Sequence, residues 1–169
     1  MDKIAGIVLA GGQSSRMGTS KALLRYHDIP LVEHMQNLLY SAGLNHIYIS
    51  GDVPGYACIS DAVRHDGPAR AMLDLLIRFQ KDYDRLLFVP VDMPLIGAAS
   101  LSDLMQQKGS VYYNGFPLPA CIATGGKTAT FRSVRELLES RAASAITLAG
   151  AVETMANINT YDEWKDIAS

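Results

Sequence analysis

The stretch Ile4–Ala10 is an unbroken apolar run that stops at two adjacent glycines, Gly11 and Gly12. A strand with one wet face alternates apolar and polar residues. A run that is apolar throughout suits a strand covered on both faces, as in a mostly parallel sheet between helical layers. Arg85–Val91 repeats the pattern and runs into Asp92-Met93-Pro94. Helix-period segments lie between these runs. Pro30–Ala42 carries Leu31, Met35, Leu38, Leu39 and Ala42 on one face, with Pro30 suited to the first turn and Gly43 to the C-terminal cap. Pro68–Tyr83 does the same with Met72, Leu75, Leu76 and Phe79. The pattern further predicts strands at His46–Ser50 and Ala57–Ile59, and a helix over Ser100–Lys108 capped by Ser100. A hairpin over Val111–Thr124, a helix over Thr128–Ser140 and a strand near Thr154–Ile158 follow. Thr160 stands three residues before Glu163, the spacing of a capping box opening a last short helix. The expected fold class is α/β, a Rossmann-like three-layer sandwich with a mostly parallel sheet. At 169 residues, with no linker or repeat, one domain over 1–169 is expected.

The charge balance narrows the partners. Charged residues make up 19% of the chain and its formal net charge is −2, so a general nucleic-acid binder, which would carry a basic excess, is not expected. No apolar run approaches the roughly 18 residues needed to cross a bilayer, and the N-terminus lacks a signal-peptide layout. No membrane partner and a cytoplasmic location are therefore expected. The two cysteines, Cys58 and Cys121, fall in apolar stretches and read as buried free thiols.

In a sheet of this kind ligands bind beyond the carboxyl ends of the strands. The segments Gly11–Lys21, Asp61, Asp92 and Asn157–Thr160 all fall there. Gly11 and Gly12 remove side chains where backbone N–H groups can approach an anion. Arg16 and Lys21 add two cations within five residues, one a fork for phosphate oxygens and one a mobile point charge. The spacing differs from a Walker A loop, since Lys21 lies three residues beyond Gly18, and the adjacent glycines do not form the dinucleotide fingerprint. The plain reading of the same residues is a Gly-rich turn with two solvated cations. The four histidines, His27, His34, His46 and His65, show no metal-ligand spacing.

The ordered motif Leu9-Ala10-Gly11-Gly12-x-Ser14-x-Arg16-Met17-Gly18-x-x-Lys21 resembles the signature of the molybdenum cofactor guanylyltransferases, the MobA-like family. That resemblance implies a nucleotidyltransferase-type fold that uses Mg²⁺ to transfer GMP from GTP to molybdopterin, releasing pyrophosphate. GTP and molybdopterin are then the substrates, with transient contact to molybdopterin-handling proteins. Val89-Pro90-Val91-Asp92-Met93-Pro94 resembles the family's Cys-Asp-x-Pro element, which implies that Asp92 holds the metal. Arg16, Lys21 and Asp92 are the implied catalytic residues.

Leu9, Ala10, Gly11, Gly12 and Lys21 are the implied phosphate-side contacts. Asp61 with Gly67-Pro68 resembles the segment that lines the nucleoside pocket. Ala69 and Ala71 depart from its usual Leu and Gly, and Asp52 stands where a guanylyl enzyme has Asn. Asn157-Ile158-Asn159-Thr160 resembles the Asn-x-Asn-Thr stretch at the acceptor and metal end. Alternate strand residues share a face, so Asn157 and Asn159 are both expected in the cleft. Gly97–Ala120 corresponds to the region that contacts the pterin. Two other functions remain open: transfer with a different base or acceptor, cytidylyl or sugar-phosphate, and non-catalytic nucleotide binding.

Overall fold

The computed structural model describes residues 1–12, 20–61 and 67–169. Its main sheet has six strands in the order β4-β1-β5-β7-β6-β8. These are β1 (Ile4–Leu9), β4 (Ile47–Ser50), β5 (Arg85–Pro90), β6 (Val111–Tyr113), β7 (Phe116–Ala123) and β8 (Ser144–Ile146). A two-residue-strand hairpin, β2 (Arg25–Tyr26) with β3 (Ile29–Pro30), stands apart from it. β1 pairs parallel with both β4 and β5, β7 runs antiparallel to β5 and β6, and β8 returns parallel to β6. Only β7 opposes the common direction, so the sheet is mostly parallel.

The apolar runs are buried on both faces, as their patterns require. Alternate residues feed two cores. Ala5 and Ile7 of β1, Leu86 and Phe88 of β5, and Ala120 and Ile122 of β7 point to one side. Val8, Leu87, Val89 and Cys121 point to the other. The first core is closed by α2 (Pro68–Arg78) and α4 (Val134–Ser140). The second is closed by α1 (Leu31–Ser41) and α3 (Ala98–Gln106), with Trp164 and Ile167 of α5 (Tyr161–Ala168) against its margin. Helices on both faces give the expected three layers, and no described helix is long and apolar enough to cross a membrane.

Several expected boundaries moved for identifiable reasons. The Thr154–Ile158 strand is instead a 3-10 helix over Val152–Met155 followed by extended chain. The Thr154 hydroxyl donates to Ala151 O at 2.7 Å, a local bond that competes with strand pairing. The helix expected from Thr128 begins only at Val134. Ser133 caps it by accepting from Glu136 N, while Glu136 Oε2 accepts from Arg132 N. α2 stops at Arg78 rather than Tyr83, and α3 starts at Ala98 behind Gly97 rather than at Ser100. Ala57–Ile59 contributes a single parallel bridge, Ser50 to Ile59. Of the thiols, Cys121 is buried, which pushes it up to about 11, whereas Cys58 is half-buried.

Arg85, at the start of β5, is 5% exposed. Its guanidinium donates to the carbonyls of Met105, Gln107 and Gly109 and faces Asp2 Oδ2 at 2.7 Å. It therefore closes the C-terminal end of α3, where helix carbonyls lack partners of their own. This is the end of the sheet away from the carboxyl termini of β1 and β5. Arg85→Met is expected to lower unfolding stability by about 3 kcal/mol, since it strands those carbonyls and Asp2. Urea denaturation checks this; an unchanged midpoint would remove Arg85 from the framework.

Candidate active site

The carboxyl ends of the three parallel strands lie level. Leu9 is in register with Ser50 on one side and Pro90 on the other. A cavity of about 310 Å³ opens directly beyond them. Its walls bring together Leu9, Ala10, Gly11, Gly12, Lys21, Asp61, Gly67, Asp92 and Asn157 from the expected site. Ala71, in the first turns of α2, also lines it, as do Ser50 and Leu118. A larger groove of about 790 Å³ lies at the opposite end of the sheet, but its buried cation is Arg85, whose donors serve α3.

Lys21 and Asp92 mark one side of the cavity. Lys21 opens a 3-10 helix over Lys21–Leu23, which is anchored by buried Ala22 and by Leu31 N donating to Leu24 O. Asp92 lies just beyond β5, behind buried Val91 and ahead of buried Met93. Lys21 Nζ stands 3.4 Å from Asp92 Oδ2, each side chain 22% exposed. His34 of α1 holds the turn from below, its Nε2–H donating to Pro94 O at 2.9 Å. Behind it, Ile158 N donates to Asp92 O at 2.8 Å, and that bond sets the neighbouring Asn157 at the cavity wall.

Asp61 belongs to the other side. The buried Ser50 hydroxyl donates to Asp61 Oδ1 at 3.2 Å, which orients the carboxylate. Gly11 is what lets it approach, because a Cβ there would lie 2.7 Å from Asp61 Oδ2. Gly67, at φ +80, is the N-cap of α2, and Pro68 follows at its first position, so the positive end of that helix faces the same cavity.

Two expected residues are not brought to the cavity. The chain turns at Gly51, at φ +123, and carries Asp52 outward, where Ser60 Oγ donates to its Oδ1 at 2.8 Å. Asn159 is exposed, and its backbone N–H is bound to Glu163 Oε2, because the segment is not the strand that would have aimed both asparagines inward. Arg16 lies outside the described residues, as do Ser14, Met17, Gly18 and His65.

The sequence reading missed Ser50 and Gly51. Gly51 was detectable: like Gly11, it directly follows an apolar strand at the carboxyl edge. A Cβ at Gly51 would meet Gly11 N at 2.6 Å and Ala10 C at 2.9 Å, both rigid backbone atoms. Gly51→Ala is thus expected to displace the Gly11 backbone and weaken nucleoside triphosphate binding at least about tenfold, ~1.4 kcal/mol. Calorimetric titration of the folded variant is the check. Affinity equal to that of the unaltered chain would contradict the close approach as a binding determinant.

Chemically, the arrangement offers a cation and a carboxylate at one end of a cleft, a buried-backed carboxylate at the other, and glycine backbone between. Among the described residues no group of three or more His, Cys, Asp or Glu side chains gathers as a metal cage. The donor set instead fits a hard cation shared between one carboxylate and substrate phosphates, the usual arrangement for Mg²⁺.

Comparison with known proteins bears on family and fold. Residues 6–154 match the family model described as MobA-like NTP transferase domain. The chain is 37% identical over 173 residues to the molybdenum cofactor guanylyltransferase of Xanthomonas euvesicatoria pv. vesicatoria, covering 94% of this chain and 91% of that protein. The fold matches molybdopterin-guanine dinucleotide biosynthesis protein A from Archaeoglobus fulgidus, with a TM-score of 0.71 at 18% identity, over 97% of this chain and 96% of that one. It also matches the manganese complex of Rv0371C from Mycobacterium tuberculosis H37Rv, with a TM-score of 0.73 at 18% identity, over 98% of both chains. On the strength of the family model and the 37% identical relative, this chain belongs to the MobA-like NTP transferase family and is a nucleotidyltransferase.

Proposed function

We propose that the chain transfers GMP from GTP to molybdopterin, with Arg16, Lys21 and Asp92 as catalytic residues and Mg²⁺ as the metal. The observation that carries this reading is the meeting of Lys21 and Asp92 at the wall of a cavity whose far side holds Asp61 and the N-terminus of α2. The 37% identical relative, a molybdenum cofactor guanylyltransferase, supports the choice of base and acceptor. The triphosphate lies along the Gly11-Gly12 backbone, and Asp61 accepts hydrogen bonds from the base or ribose. Lys21 pairs with phosphate oxygens, and Asp92 with Asn157 beside it is where the metal would be held. The manganese complex of the structural neighbour from Mycobacterium tuberculosis supports a divalent cation. When bound, Mg²⁺ supplies charge neutralisation at the departing pyrophosphate.

The acceptor is a phosphate monoester and already an anion. Its oxygen attacks the α-phosphorus in line, the bond to the β-phosphate breaks, and pyrophosphate leaves. No strong general base is required, so the chain's part is positioning and electrostatics. In this reading molybdopterin lies toward Leu118 and Asn157, which line the cavity.

A second reading, transfer of another nucleotide, has one observation in its favour. Ala71 puts a methyl group on the cavity wall, and Asp52 is turned away from it, so the base end differs from the pattern that the sequence motifs resemble. The deciding assay is pyrophosphate release from the unaltered chain with molybdopterin, Mg²⁺ and each of GTP, CTP, ATP and UTP. GTP is expected to be preferred by at least about a hundredfold in kcat/KM, because a site that hydrogen-bonds one base leaves polar groups unpaired with another. A preference for CTP would overturn the base assignment. No release with any triphosphate would overturn transfer to molybdopterin.

A further inference from the structure

The first turn of α5 is tied to the cavity through a route that the proposed reaction does not use directly. Glu163 Oε2 accepts from two backbone amides, Asn159 N at 2.6 Å and Thr160 N at 3.0 Å. Glu163 N in turn donates to Thr160 Oγ1 at 3.2 Å, completing the capping box. The residue before Asn159 is Ile158, 4% exposed, whose N–H donates to Asp92 O. The residue before that is Asn157, on the cavity wall. One exposed carboxylate therefore fixes the downstream end of a short extended segment, and the upstream end is fixed by buried Met155. The two amides hold the Glu163 carboxyl below the usual carboxylate range, and the charge of Lys21 acts in the same direction. Glu163 thus sits within electrostatic reach of the cation that pairs with Asp92.

An ordinary capping box serves only its helix, whose docking needs the Thr160 half as much as the Glu163 half. Here the two halves do different things. The Thr160 hydroxyl satisfies an amide inside α5. The Glu163 carboxylate reaches past the helix start to Asn159 and stiffens the segment that touches Asp92. Small misplacements at a transfer site are costly in rate, so this reach has a functional consequence.

We propose that Glu163 is a positioning residue for nucleotidyl transfer, clasping the 157–160 segment so that Ile158 holds the Asp92 backbone and Asn157 faces the cavity. This rests on the transfer reading above. Three variants of the full chain separate it from a purely structural role. Glu163→Ala is expected to lower kcat at least about tenfold and raise the Mg²⁺ concentration for half-maximal rate, with the nucleotide KM within about twofold. Glu163→Gln keeps an acceptor oxygen and is expected to restore kcat to within about threefold. Ile167→Ala loosens the far end of α5, where that side chain packs against the core margin, and leaves the Glu163 carboxylate and its two amides untouched. It is expected to keep kcat within about threefold whatever melting temperature it loses.

Amide hydrogen exchange gives a readout independent of activity. The Ile158 N–H is expected to exchange at least about tenfold faster in Glu163→Ala than in Ile167→Ala. The clasp is overturned if Glu163→Ala keeps wild-type kcat, if Glu163→Gln is as slow as Glu163→Ala, or if Ile167→Ala and Glu163→Ala fall together. Should the unaltered chain show no transfer at all, the functional reading fails first. The clasp then stands or falls on Ile158 exchange alone.

Discussion

Lys21 and Asp92 are 71 residues apart in the chain and meet at 3.4 Å. Most of the structure around the cavity can be read as the means of holding them there. A lysine is a flexible point charge, and a lone carboxylate at a strand end would be free to turn. Each is placed by buried neighbours instead. Lys21 heads a 3-10 turn pinned by Ala22 and Leu24 in the core and bonded to the start of α1. Asp92 follows a strand with five buried positions and precedes a turn bonded to His34, also on α1. One helix thus braces both partners. The pair is worth little as a stability element, since both side chains are partly exposed and water screens them. Its value is positional: in the proposed reaction each partner exchanges the other for the opposite charge, Lys21 for phosphate and Asp92 for a divalent cation.

The sheet divides its labour along the strand direction. At the carboxyl ends, side chains are removed so that backbones can converge. Gly11 and Gly51 pass close enough that a Cβ on either would collide with the other's loop or with Asp61. At the opposite end the sheet carries a large buried side chain, Arg85, that spends its donors on the carbonyls of α3. Cations at the two ends have different physical roles. Lys21 is half-buried beside a cavity and can change partners, while the terminal guanidinium nitrogens of Arg85 are committed to backbone carbonyls. Burial and hydrogen-bond partners, rather than charge, distinguish a site residue from a framework residue here.

The sequence was most informative where one strong local rule acted alone. Unbroken apolar runs ending in Gly11-Gly12 and in Asp92 marked β1, β5 and the cavity at their carboxyl ends. The capping box at Thr160 and Glu163 was also plain from spacing. Failures came where a short polar side chain redirected the backbone. Thr154 closed a turn on Ala151 and dissolved an expected strand, and with it the reason to aim Asn159 at the cleft. Ser133, with Glu136 reaching back, delayed α4. Asp52 was singled out only by its resemblance to an Asn position, and the left-handed turn at Gly51 carries it outward. Glu163 was legible as a cap, but its link through Ile158 to Asp92 depends on a contact between distant segments that spacing cannot reveal.

The central claim is that Asp92 acts as a charged ligand and partner of Lys21, not as a turn-former before Pro94. Transfer rate measured across a Mg²⁺ titration, in the unaltered chain and in Asp92→Asn, tests it most directly. The variant preserves shape and removes only the charge. If the claim holds, Asp92→Asn loses at least about a hundredfold in kcat at every Mg²⁺ concentration, about 2.7 kcal/mol, while triphosphate binding survives in part on the Gly11-Gly12 loop. A turn-forming role predicts the opposite, since Asn replaces Asp well in such positions. Full activity at an unchanged Mg²⁺ requirement would contradict the claim and leave the Lys21–Asp92 contact a surface ion pair.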